Sequence, residues 1–280
     1  MSKKKTLLIR VVELSLISAR RCMTSYSHCK SPHKFTQPQL MTCLILRAYL
    51  KTTYRGIIEL LDASETLRQK IGLERLPHYS TLKRFADRSD VAAITDAMLA
   101  DILRRVGAAG KEVAMDSTGI ETTSASAYYR SRTGRDRQKY VKVSAAVTCG
   151  SILPVAVTTG WGPRNDKTEA RALLGGITAK MRPKALYADA GYDAEWIHEF
   201  CRGWHIRSWI PPVMHRRDGT VNGYWRSQMT RLPRSYGRRW HVESFFSGLK
   251  RTTGASLAAR SDAALFREAT LRVLAYAIRR

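Results

Sequence analysis

A mixed α/β fold, one sheet covered by helices on both faces, is predicted by three observations. The period of the apolar residues changes after Gly110, from helical spacing before it to strand alternation after it. Three strand-like segments then follow one another before helices and strands begin to alternate. The break Gly150-Ser151 between two of those segments reads as a hairpin. A meander followed by alternating strands and helices gives a sheet with both antiparallel and parallel pairs.

In chain order, residues 1–36 are basic and mixed in character, with Ser31-Pro32 and Gln37-Pro38 as punctuation, and read as an N-terminal arm. Residues 37–107 are helical. Leu40, Met41, Leu44 and Ile45 recur at helical spacing, as do Ile57, Ile58, Leu60 and Leu61. Gly72 and Pro77 break the pattern, Ser80-Thr81 is placed to cap a short helix through Phe85, and Val91 to Val106 reads as another. A helix, a break and a short helix carrying Lys83 and Arg84 resembles a helix-turn-helix, which would set those two cations near DNA.

Residues 108–280 form the α/β part. Strands are expected at 112–118, 140–149, 152–160, 185–188 and 206–210, five in all, with helices at 167–180 and 194–203. Pro211 to Arg234 reads as a loop rich in Pro, Arg and Gly. A last helix is expected from Tyr236 to Lys250, its Tyr236, Arg239, Glu243 and Lys250 sharing one stripe beside an apolar stripe of Val242, Phe245 and Leu249.

Charge indicates the partner. The 280 residues hold 48 Lys and Arg against 23 Asp and Glu, a net charge of +25. Residues 202–251 alone carry eleven cations against Asp218 and Glu243. A polyanion is the expected partner, nucleic acid before an anionic membrane. Five scattered cysteines fit a reduced, cytosolic setting, and Cys22, His28, Cys29 and His33 lack zinc-finger spacing. Arg10 and Glu13 interrupt the N-terminal apolar stretch, so neither a signal peptide nor a membrane span is expected.

Acids are scarce enough for position to matter. Asp116 falls within the first strand, Asp189 directly after the fourth, and Glu243 on the helix after the fifth. Strand ends of open α/β sheets collect chemistry. Oxygen-only ligation of this kind suits Mg²⁺ or Mn²⁺. Among rivals, Glu121 points to the opposite face from Asp116, Asp166 with Glu169 reads as a capping box, and Asp193 reads as a helix cap.

Asp116 in AMDSTG, Asp189 in YADAGYD and the signature Tyr236-x2-Arg239-x3-Glu243-x6-Lys250 resemble the DDE transposases of insertion sequences. The resemblance covers about residues 110–275 and implies an RNase H-like fold. It implies two divalent ions held by Asp116, Asp189 and Glu243, with Asp116 shared, for in-line attack on a phosphodiester. It also implies phosphate contacts from Arg239 and Lys250, a DNA-end contact from Tyr236, and a homodimer bridging two DNA ends. A second basic tract, Arg130, Arg132, Arg135, Arg137, Lys139 and Lys142, would track the backbone; of Trp209, Trp225 and Trp240, at least two are expected to pack in the core and the remaining one to receive an unstacked base. The expected setting is the nucleoid. Alternatives are a nuclease of similar fold without strand transfer, and a non-catalytic DNA-binding protein or repressor.

Overall fold

The computed structural model describes residues 6–30, 32–107, 111–122, 139–213 and 220–280. The chain divides into two compact units, one of Met1–Ile102, Leu249–Gly254 and Ala259–Arg280, the other of Leu103–Gly248 and Ala255–Ala258.

The first unit is helical. It holds α1 (Leu7–Cys22), α2 (Gln37–Tyr49), α3 (Tyr54–Ala63), α4 (Glu65–Ile71), α5 (Tyr79–Ala86), most of α6 (Val91–Val106), and the C-terminal helix Asp262–Arg279. Its centre is α2, apolar on all sides, with Leu40, Met41, Cys43, Leu44, Ile45 and Leu46 buried against α1 and the C-terminal helix. A capping box starts α2: Gln39 N donates to Thr36 Oγ1 at 3.4 Å and Thr36 N to Gln39 Oε1 at 2.8 Å. α4 ends on Gly72 in the left-handed region at φ 76°. α5 begins earlier than expected, because His78 caps it rather than Ser80 or Thr81. α1 falls within the stretch read as an arm and buries Val11, Val12, Leu16 and Ala19.

The second unit is built on a mixed sheet. Its strands are β1 (Val113–Thr122), β2 (Tyr140–Thr148), β3 (Pro154–Gly162), β4 (Ala185–Ala188), β5 (Arg207–Trp209) and β6 (Ser256–Leu257). Between them lie α7 (Lys167–Lys180), α8 (Glu195–Gly203), the short α9 (Tyr224–Ser227) and α10 (Trp240–Thr253), and the C-terminal helix is α11. The order is β3-β2-β1-β4-β5, with β6 added to the far end of β1. β1–β2 and β2–β3 are antiparallel, while β1–β4, β4–β5 and β1–β6 are parallel. α7 packs on β2 and β3, and α8 on β5.

Two more expectations change. Among the described residues the sheet has six strands rather than five, since β6 is only Ser256 and Leu257 and shows no alternation to read. The expected helix from Tyr236 begins as an α-helix only at Trp240, and Arg234–Arg239 form a 3-10 turn after Pro233. Tighter turns of this kind are common where a helix starts.

Candidate active site

The sheet sets two aspartates side by side. β1 and β4 are parallel neighbours with Met115 opposite Ala188, so the next residue along each, Asp116 and Asp189, stands at the same level. Asp116 Oδ1 accepts from the Ser117 amide at 2.7 Å. Asp189 Oδ1 accepts from the Gly191 amide at 3.0 Å and caps the 3-10 turn Ala190–Tyr192. Burial pushes the Asp116 carboxyl up to about 6, and the charges of Asp189 and Asp166 push the same way against the Ser117 amide and Arg239. Asp189 is also raised, by burial and then by the charge of Asp166. The two acids resist ionising together without a cation.

The signature residues approach from the turn and helix after Pro233. Tyr236 donates its hydroxyl to the Ala188 carbonyl at 3.1 Å, beside Asp189. Arg239 donates to Asp116 Oδ2 at 3.2 Å and, through its other terminal nitrogen, to Glu243 Oε1. Arg239 therefore stands between Asp116 and Glu243. Lys250 follows seven residues after Glu243 on α10, at a position belonging to the helical unit. Among the described residues no three His, Cys, Asp or Glu side chains converge closely enough to hold an ion. The donor chemistry nevertheless fits a hard divalent cation. Asp116 and Asp189 offer carboxylate oxygens with raised proton affinity, and Arg239 already occupies the cationic place between Asp116 and Glu243.

Asp166 was missed by sequence reasoning. It makes no side-chain cap for α7. Its Oδ1 accepts from Ser117 Oγ at 2.7 Å and from Lys142 at 2.8 Å. Glu169 is no capping partner either: it accepts from Ser144 Oγ and lies 3.4 Å from the Lys142 ammonium. Lys142 is accordingly not on a DNA-tracking surface. Its side chain is 4% exposed and also donates to the Arg164 carbonyl at 2.6 Å. The sequence carried half of the signal: a lone lysine between Val141 and Val143 in a strand needs a buried acid, but nothing in the sequence says which acid it is.

Asp193 does not cap α8. Its buried carboxylate accepts from the Val213 amide at 2.7 Å and from Arg226 at 2.7 and 2.6 Å. Burial raises its proton affinity, but Arg226 and the Val213 amide outweigh it and hold the carboxyl below its usual range. The pair ties α9 to the turn after β4, a structural role.

Of the basic tract, Arg130, Arg132, Arg135 and Arg137 lie outside the described residues, and Lys139 is exposed. Lys83 and Arg84 are exposed on α5, Lys83 paired with Asp87. Residues 72–78 between α4 and α5 make a longer connection than the three or four residues of a tight helix-turn-helix. Trp240 is 51% exposed and stacked on His241 with ring centres 4.1 Å apart. Trp225 lies under the Arg202 guanidinium at 4.6 Å, and Trp209 is half-buried.

A mixed sheet with one acid within β1 and another directly after the parallel β4, faced by an Arg and a Glu from one turn and helix, sets its carboxylates where open α/β sheets collect chemistry. The comparisons name the family. A family model described as the transposase DDE domain matches residues 108–278. That is more than half of the chain, and the chain belongs to this family of transposases. No curated protein matches the chain. Among solved structures, the cryo-EM structure of the piggyBac transposase synaptic complex with hairpin DNA is similar. The likeness covers 98% of this chain and 72% of that one, at 9% identity and a TM-score of 0.45. Among the described residues no helix is long and apolar enough to cross a membrane.

Proposed function

We propose that this transposase binds the terminal inverted repeats of its insertion sequence and catalyses metal-dependent strand cleavage and strand transfer on DNA. The observation that carries the reading is Asp116 beside Asp189 on adjacent parallel strands, with Arg239 joining Asp116 to Glu243. The strand order β3-β2-β1-β4-β5, with an acid within β1 and another after β4, supports an RNase H-like description of the sheet unit.

Asp116, Asp189 and Glu243 would hold two Mg²⁺ or Mn²⁺ ions. When bound, such ions activate a water or a DNA 3′-hydroxyl and stabilise the leaving oxygen. Tyr236, anchored on the Ala188 carbonyl, holds the DNA end beside Asp189. Arg239 exchanges its carboxylate partners for a phosphate near the scissile bond, and Lys250 holds a phosphate two turns further along α10. The helical unit, with Lys83 and Arg84 on α5, binds DNA, and Lys139 and the arginines between 130 and 137 add contacts to the backbone. Two chains bridge two DNA ends in the nucleoid of the cytoplasm.

The test is a plasmid carrying the element between its own ends, incubated with the purified chain and Mg²⁺. Excised element and joined target products are expected, and both vanish with EDTA. Nicking without joining would leave a nuclease, and binding without either product would leave a DNA-binding protein.

A further inference from the structure

Asp166 has two oxygens in different situations. Oδ1 takes both of its bonds, from Ser117 Oγ at 2.7 Å and Lys142 at 2.8 Å. Oδ2 faces the other way, toward Gly191. The point that a Cβ on Gly191 would occupy lies 2.8 Å from Asp166 Oδ2 and 3.0 Å from Asp189 Oδ1. Only the missing side chain lets these two carboxylates crowd one spot, and Asp166 is still 26% exposed there, open to solvent and to an ion.

Two further features suit a cation at this place. Among the described residues, Asp116, Asp166, Glu169 and Glu243 are ion-paired with two cations, Lys142 and Arg239, and Asp189 is an electrostatic neighbour of Arg239. Beneath the cluster, Tyr192 is 0% exposed and its hydroxyl has no hydrogen-bond partner among the described residues. Its electrostatic neighbours are Asp166, Asp116, Asp189 and Glu169. A buried unpaired hydroxyl is costly, and a water or carboxylate drawn in by an ion would satisfy it.

We propose that Asp166 is a fourth carboxylate of the ion site, its Oδ2 joining Asp189 in holding a divalent ion while Lys142 and Ser117 fix Oδ1. This rests on the reading of Asp116, Asp189 and Glu243 as ion ligands. Lys142 is then a positioning residue: shared between Asp166 and Glu169, it orients Asp166 without satisfying both acids.

The experiment is a Mn²⁺ titration of the full chain without DNA, free Mn²⁺ read by electron paramagnetic resonance, with melting temperature followed in parallel. Asp166→Asn is expected to weaken Mn²⁺ binding about tenfold or more, and to shrink the Mn²⁺-induced rise in melting temperature. Its metal-free melting temperature should fall, because Lys142 keeps only Glu169 as an acid partner, so the rise that Mn²⁺ induces is read within each variant. Gly191→Ala keeps the Asp166 carboxylate but sets a methyl against its Oδ2 and Asp189 Oδ1, and should weaken binding too, which keeps the test valid if Asp166→Asn folds poorly. Parent-like Mn²⁺ affinity in both variants, with Asp116→Asn and Asp189→Asn impaired, overturns the role of Asp166 alone. Parent-like affinity in all four overturns the ion-site reading with it.

Discussion

The Arg239 guanidinium donates to Asp116 Oδ2 at 3.2 Å across 123 positions of sequence, and its other end holds Glu243 four residues along the chain. One arginine thus joins the acid of the central strand to the acid of the helix. Without an ion it serves as their counter-charge.

Removing that counter-charge should free the acids for metal. Arg239→Gln is expected to bind Mn²⁺ more tightly than the parent by a few-fold, since an ion no longer competes with a guanidinium. The same variant should cleave DNA at least tenfold more slowly, because a phosphate contact near the scissile bond is lost. Calorimetric Mn²⁺ titration and single-turnover cleavage check the two halves separately.

Stability of the metal-free protein should depend on Asp116 in a definite direction. Its carboxyl is pushed up to about 6, above the ordinary 3.8, so the folded state prefers the protonated form. The contribution is full below about pH 4 and is lost as pH rises through 6. Asp116→Asn should therefore be more stable than the parent at pH 7 in EDTA, by about 1–3 kcal/mol, and the advantage should disappear near pH 4. Urea unfolding at the two pH values decides it.

Asp193 should behave as a structural acid. Asp193→Asn leaves Arg226 with one charge-assisted partner fewer in a buried setting, at a cost of about 3 kcal/mol. Because Asp193 sits below its usual carboxyl range, the stability it provides is present above the ordinary Asp value and is lost as pH falls through the lowered one. Denaturant midpoints measure the loss, and Mn²⁺ affinity of the folded variant should match the parent.

Trp240 offers an exposed aromatic surface beside the site turn. Trp240→Ala should lower the melting temperature by about 2–6 °C, since half of the ring is buried and it stacks on His241. It should weaken binding to a duplex with an unpaired end by about 1–3 kcal/mol, as loss of a base-stacking platform does. Fluorescence anisotropy with blunt and frayed ends separates stacking from simple charge.

The sequence made the scaffold legible where period and punctuation agree. The helices at Lys167–Lys180 and Val91–Val106 and the strand Ala185–Ala188 fall where spacing sets them. β6 was hidden because two residues carry no period, and the 3-10 turn at Arg234–Arg239 because a helical stripe looks the same until its first turn tightens. The acids Asp116 and Asp189 were legible from their places on strands. Asp166 was not, since a carboxylate three residues before Glu169 at a helix start satisfies the capping pattern equally well. Only the fold shows Ser117 and Lys142, far away in sequence, claiming its Oδ1 instead.

The most direct test of the central claim is cleavage of a labelled duplex carrying the element end, with binding measured alongside. Asp116→Ala, Asp189→Ala and Glu243→Ala are compared with the parent chain in Mg²⁺. Each substitution should abolish cleavage, by about a thousandfold or more, while duplex binding persists. Cleavage that survives the loss of any one of the three carboxylates would contradict the account and remove that residue from the catalytic set.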